Sequence, residues 1–217
     1  MLNGTHTFSC GLAYLAGFET VKEAMEDKVM GMYIKELLAN EIAPCVSDTA
    51  LSPQEALEFS NQVIDRFRNP FIEHLWINIT LNYTHKMRMR NVPLLIEHYN
   101  RFSTVPEYMA MGFAAFLIFM KSEPSESGKY YGEWNGALYP VQDEHAAYFN
   151  QLWSSDSLNE IVITALSNES LWGKDLNSLP EFSYAVANYL ELFLQNKVIA
   201  AIKQYQLNRN KVKSHEA

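Results

Sequence analysis

Apolar residues recur along this chain with helical period almost throughout. Between Thr20 and Ile42, the residues Val21, Ala24, Met25, Val29, Met32, Tyr33, Leu37 and Leu38 fall mostly at i, i+3, i+4 spacing, with Lys and Glu opposite them. That pattern predicts one amphipathic helix, ended by Pro44. Ser52-Pro53-Gln54-Glu55 has the form of a capping box with proline at the first helical position. A helix is predicted from there to about Arg68, where Asn69-Pro70 stops it. Another, kinked, is predicted from Phe71 to about Met89, and Pro93 and Pro106 each mark a helix start. Pro106 opens a very apolar stretch whose Met109–Met120 run falls short of the ~20 residues that cross a bilayer, so it reads as a buried helix. Gly112, Ala114 and Ala115 within it permit close approach of a neighbouring helix.

From Ser122 to Tyr139 the period is lost among Ser, Gly, Pro and charged residues, which predicts a loop or insertion over 122–139. Helices resume at about Asp143 and at Ser157, and the last is predicted from Pro180 to about Leu207. β-branched pieces such as Ile161-Val162-Ile163 lie inside helical patterns, and no strand is expected. The fold class expected is therefore all-α, with roughly eight to ten helices in one large domain.

Composition adjusts this picture at a few points. A hydrophobic share of 48% against 19% charged is enough for a core and argues against disorder. The aromatic share of 13% fits a thick core and a large interface equally well. A net charge of -8 makes nucleic acid an unsuitable partner, and Lys203, Arg209, Lys211 and Lys213 read as favourable charges late in a terminal helix. Cys10 and Cys45 form neither a disulfide framework nor a zinc pattern, which points to a reducing cytosol. No signal peptide or membrane segment is apparent.

Most catalytic motifs are missing: no G-x-G-x-x-G, P-loop, H-E-x-x-H, G-x-S-x-G or C-x-x-C is present, so the chain has no Gly-rich turn to hold a dinucleotide. Two polar clusters stand out. In Asn3-Gly4-Thr5-His6, an amide and an imidazole three residues apart share a face if helical, and aimed at one point they orient a hydroxyl or polarise a carbonyl. The alternative is a helix N-cap at Asn3 or Thr5 with His6 on the surface. The second cluster begins at Arg66-Phe67-Arg68-Asn69-Pro70 and continues through Asn78, Asn82, His85, Lys86, Arg88 and Arg90. Asn78, Asn82 and Lys86 are four apart, giving a polar helical stripe that suits a polyhydroxylated anion or, alternatively, plain solvent.

At these clusters the sequence resembles a known family. Asn3–His6 with Ala13-Tyr14-Leu15-Ala16-Gly17 is similar to the opening of the C-terminal domain of long-chain mannitol dehydrogenases. The run from Arg66 to Leu95, and Gly112-Phe113-Ala114-Ala115-Phe116, resemble the tagaturonate reductase branch of that family. The resemblance covers Asn3 to about Ile202 and weakens in the loop after Ser122. It implies a helical domain like the C-terminal domain of 6-phosphogluconate dehydrogenase, covering residues 1–217. It also implies a separate Rossmann domain outside this chain, and metal-free hydride transfer between NAD and a sugar acid in the cleft between the two. The family pattern of lysine, four residues, asparagine, two residues, histidine maps onto Asn3 and His6 as catalytic residues. The lysine base then falls before Met1, outside this sequence. Lys86 matches the family's substrate-binding lysine, with Asn78, Asn82 and Arg90 beside it. The mannitol branch carries arginine where this chain has Asn78, which favours a uronate substrate, D-altronate and D-tagaturonate.

On that reading NAD is the cofactor of the full-length family, and none is expected to bind this chain alone. The partners are the sugar acid and a Rossmann domain. An exposed apolar face near Asn3 to Leu15 is expected to drive a homodimer or aggregation. The alternatives are fructuronate reductase or mannitol dehydrogenase specificity, and a non-enzymatic helical module.

Overall fold

The computed structural model describes residues 2–46, 53–67, 74–195 and 197–215. It is predominantly helical, as the periodicity predicts, with thirteen α-helices among the described residues. Helix α1 (Leu2–Leu15) runs through the middle, with ten of its residues, Gly4 to Leu15, buried. The expected exposed apolar face near Asn3 to Leu15 does not exist. Helix α8 (Glu107–Phe119) packs on one side of α1, and its residues Tyr108–Phe119 are all buried. Helix α12 (Phe182–Gln195) covers the other side of α8. α1 and α8 approach closely at Gly112, where a Cβ would lie 2.8 Å from Phe8 Cδ1 and 2.9 Å from the Phe8 carbonyl oxygen. The reading of Gly112 as a packing residue holds.

The helix predicted from Thr20 to Ile42 is divided. Thr20 and Glu23 form a capping box at the start of α2 (Val21–Glu26). Asp27 then leaves helical geometry and accepts the Val29 and Met30 N–H groups at 2.9 and 2.8 Å. It ends α2 and caps α3 (Lys28–Glu36), because a short carboxylate competes well for orphan amides. A π-helical stretch, Leu37–Ile42, follows α3 and brings Glu41 inward. Its buried carboxyl group accepts the Tyr108 and Met109 N–H groups at 2.9 and 2.8 Å, capping α8 from outside that helix. Helix α4 (Pro53–Phe67) forms as predicted, while Ser52 and Asn69-Pro70 lie outside the described residues.

Between His74 and Arg101 the chain makes short helices: α5 (Trp76–Ile79), α6 (Tyr83–Lys86), a π-helical stretch Met87–Asn91, and α7 (Val92–Arg101). The long helix expected to Met89 is broken at Thr80–Asn82, where Asn82 takes a left-handed conformation with φ 51. Asparagine is among the few residues that reach this region readily.

The segment 122–139, expected to be a loop, contributes most of a three-stranded antiparallel sheet: β1 (Glu123–Pro124), β2 (Tyr130–Trp134) and β3 (Ala137–Val141). Asn135-Gly136, both at positive φ, forms the two-residue turn that brings Trp134 opposite Ala137. That dipeptide and the aromatic residues before it are a hairpin signal, which Ser and Gly content obscures. The Trp134 indole N–H donates to the Leu15 carbonyl at 2.8 Å and fastens the sheet to the end of α1.

Helix α9 (Ala146–Leu152) starts three residues later than expected, and α10 (Leu158–Leu166) starts where expected, with Ser157 as its cap. A short α11 (Glu169–Trp172) follows. The last predicted helix is two, α12 and α13 (Val198–His215). Arg209 of α13 does more than oppose a helix dipole: it pairs with Glu36 at 2.5 Å and donates to the Tyr108 hydroxyl at 3.2 Å. No helix among the described residues is long and apolar enough to cross a membrane.

Candidate functional site

Asn3 and His6 lie one turn apart on α1, as the spacing requires. Neither Asn3 nor Thr5 caps the helix; both are inside it, with Asn3 exposed and Thr5 buried. His6 is not a surface residue. Its ring stacks on Phe67 at 4.0 Å between centroids and 1° between planes. Trp76 meets it edge-on at 6.2 Å, and His74 lies 6.1 Å away. Two backbone hydrogen bonds, Trp76 N–H to Glu19 and Val21 N–H to His74, hold the His74–Trp76 strand against the entry to α2 and so against His6.

Burial is the main reason the His6 pKa falls to about 4, with the nearby His74 and Arg90 adding to it. At neutral pH the ring is therefore an uncharged imidazole, and its buried Nε2 has no partner among the described residues. Such a ring offers one donor and one acceptor to a hydroxyl.

Lys86 ends α6, and its ammonium donates to the Ile79 carbonyl at 2.9 Å. Partial burial lowers its pKa, with Arg90 in the same sense and Cys10 opposing. Arg90 sits on the following π-helical stretch and reaches Thr7 Oγ1 at 3.4 Å, while the Thr7 hydroxyl donates to the Asn3 carbonyl at 2.7 Å. Arg90 is thus near both His6 and Lys86, where the π-helical stretch packs on α1, with Asn3 on the exposed side.

The expected stripe of Asn78, Asn82 and Lys86 is not one helical face, because the break at Thr80–Asn82 separates Asn78 from the other two. Asn78 and Asn82 are exposed. Asn82 is explained by its backbone: the turn is held by its N–H to the Gln142 carbonyl at 3.0 Å and by the Thr84 N–H to Asp143 Oδ2 at 2.7 Å. The residues just after β3 therefore set the position of Lys86.

Phe67, His74 and Trp76 acquire their places from packing across more than sixty positions, and no local spacing marks them. Two clefts, of about 1380 and 480 Å³, flank Trp134, and none of the six predicted site residues lines either. Among the described residues no group of three or more His, Cys, Asp or Glu could hold a metal ion.

The fold is a helical domain in which a neutral imidazole, His6, lies near the cation Arg90. Residues 1–194 match the mannitol dehydrogenase C-terminal domain family, and the chain belongs to it. The altronate oxidoreductase of Yersinia enterocolitica is 32% identical over 212 residues, 94% of this chain and 41% of that protein. The altronate oxidoreductase of Bacillus subtilis is 30% identical over 217 residues, 98% of this chain and 41% of that protein. A mannitol 2-dehydrogenase of Pseudomonas fluorescens, solved as a ternary complex with NAD and D-mannitol, superposes with a TM-score of 0.77 at 21% identity, over 96% of this chain and 39% of that one. A substrate-free D-sorbitol dehydrogenase gives 0.73 at 22% identity, over 93% of this chain and 39% of that one. The chain spans about two fifths of the length of these relatives.

Proposed function

We propose that this chain is the substrate-binding part of an NAD-dependent oxidoreductase that interconverts D-altronate and D-tagaturonate. The position of Arg90, near both the neutral His6 and the cation Lys86, carries the reading, because a sugar acid offers hydroxyls and one carboxylate. The altronate oxidoreductases at 32% and 30% identity support it. Asn78, at the position where mannitol dehydrogenases carry arginine, supports an acid over a neutral polyol.

In this reading Lys86 and Arg90 hold the carboxylate. His6 hydrogen-bonds a hydroxyl and fixes the rotation of the sugar chain. The Asn3 amide donates to the oxygen on the carbon that changes oxidation state, where negative charge develops.

NAD supplies the hydride acceptor. The described residues do not fit it: their sheet is three short antiparallel strands, and the sequence has no Gly-rich phosphate-binding turn. We assign NAD to the three fifths of the relatives that this chain does not span.

Calorimetry with D-altronate, D-mannitol and NADH on the 217-residue chain tests the reading. D-altronate is expected to bind, D-mannitol more weakly, and NADH not at all. Equal binding of the acid and the polyol would remove the carboxylate role of Lys86 and Arg90. Tight NADH binding would place a cofactor site within this chain. Tighter binding of D-fructuronate would assign the sibling specificity.

A further inference from the structure

The contact between His6 and Phe67 goes beyond the family's active-site pattern, in which Phe67 has no part. Phe67 is the last residue of α4 and is 3% exposed. α4 is anchored against α2 and the π-helical stretch Leu37–Ile42, so the ring is presented from outside α1. Its plane lies 1° from that of His6 at 4.0 Å, which blocks one whole face of the imidazole. Trp76, fully buried, stands at 81° to the same ring and confines its edge. An imidazole alone on a helix turns freely about two side-chain bonds, whereas one held by a flat face and an edge keeps one orientation.

We propose that Phe67 is a positioning residue, whose ring holds the His6 imidazole in the single orientation that presents it to a sugar hydroxyl. The hydroxyl partner rests on the function proposed above; the clamp itself does not. The titratable and cationic groups facing His6 are His74 and Arg90, and both disfavour a proton on it, so the stack keeps the ring in a site where it stays neutral. Replacing Phe67 with a smaller apolar residue admits water to the exposed face and frees the ring. Tyr preserves the flat face.

The test is nitrogen-15 NMR of the imidazole nitrogens across a pH titration, on the 217-residue chain and on Phe67→Leu and Phe67→Tyr. In the parent, His6 is expected to titrate near pH 4 with one tautomer dominant. Phe67→Tyr should keep both features. Phe67→Leu should raise the midpoint by at least about one pH unit, a tenfold change in proton affinity, and mix the tautomers. A parent His6 that titrates at its ordinary value overturns the proposal and needs no variant. A Phe67→Leu chain with parental circular dichroism and an unmoved His6 also overturns it. Should Phe67→Leu not fold, the parent and Phe67→Tyr titrations decide. D-altronate calorimetry on the same samples separates the two readings: a His6 freed by Phe67→Leu in a chain that never binds D-altronate leaves the clamp standing and removes the sugar acid.

Discussion

The Lys86 ammonium lies 2.9 Å from the carbonyl oxygen of Ile79, seven residues earlier and on the far side of the turn at Asn82. The contact caps the end of α5 with a cation and leaves two of the ammonium's three protons for another partner. Lys86→Met therefore removes both a cap and a charged donor. Losing a charge-assisted hydrogen bond to a carboxylate is worth about 1.5–3 kcal/mol, so D-altronate binding should weaken roughly ten- to hundredfold by calorimetry. Unchanged affinity would place the carboxylate elsewhere.

A partly buried histidine, His6, and a buried glutamate, Glu41, give stability a pH dependence of opposite sign. The folded His6 pKa, about 4, lies below its ordinary 6.5, so the unfolded chain binds its proton first and stability falls as pH drops from 6.5 towards 4. Glu41 is raised from 4.5 to about 8, chiefly by burial, against the pull of its two backbone hydrogen bonds. The folded chain holds that proton longer, so stability falls as pH rises through 4.5 to 8. Each slope is at most about 1.4 kcal/mol per pH unit. Urea unfolding at several pH values should show the two nearly cancelling below 6.5 and a net decline above it. His6→Gln should expose the Glu41 decline from pH 4.5 upward, and Glu41→Gln should flatten the profile above 6.5. Variant profiles of parental shape would contradict both assignments.

The shape of these effects shows what the sequence made legible. Periodicity located α4, α7, α8 and α10, because each buries one face or all of itself and starts at a proline or serine, whereas α1 was not among the predicted helices. It could not show that Asp27 and Asn82 interrupt longer helices, since both positions also fit a helical register and the break is decided by local hydrogen bonds. The hairpin at Asn135-Gly136 was readable but outvoted by its neighbours. Within the site, Asn3 with His6 follows from spacing on one helix. The joining of Arg90 to them required the packing of the π-helical stretch on α1, which is tertiary. Phe67 reaches His6 across 61 positions, a separation at which sequence spacing carries no geometry.

Gly112 tests how tightly α1 and α8 are joined. In an exposed helix, Gly→Ala stabilises by up to about 1 kcal/mol. Here the added methyl would meet the Phe8 ring at 2.8 Å and the Phe8 carbonyl oxygen at 2.9 Å, and a backbone oxygen cannot rotate away. Gly112→Ala should therefore destabilise, by about 1–3 kcal/mol, as overpacking does. Thermal unfolding gives the sign directly, and a gain in stability would mean that the two helices separate easily.

Asn82 separates a backbone role from a chemical one. Its φ of 51 and ψ of 50 lie in the left-handed region, and its N–H and that of Thr84 are tied to Gln142 and Asp143. Glycine adopts this conformation freely, whereas alanine is strained in it by about 1–2 kcal/mol. Asn82→Gly and Asn82→Ala both delete the amide, but only the second strains the turn that carries Lys86. Asn82→Gly should keep parental stability and bind D-altronate within about twofold of the parent, while Asn82→Ala should lose roughly 1 kcal/mol of stability and bind more weakly. Equal losses of affinity in both would assign the Asn82 amide to the sugar itself, since the backbone is then the one thing on which the two variants differ.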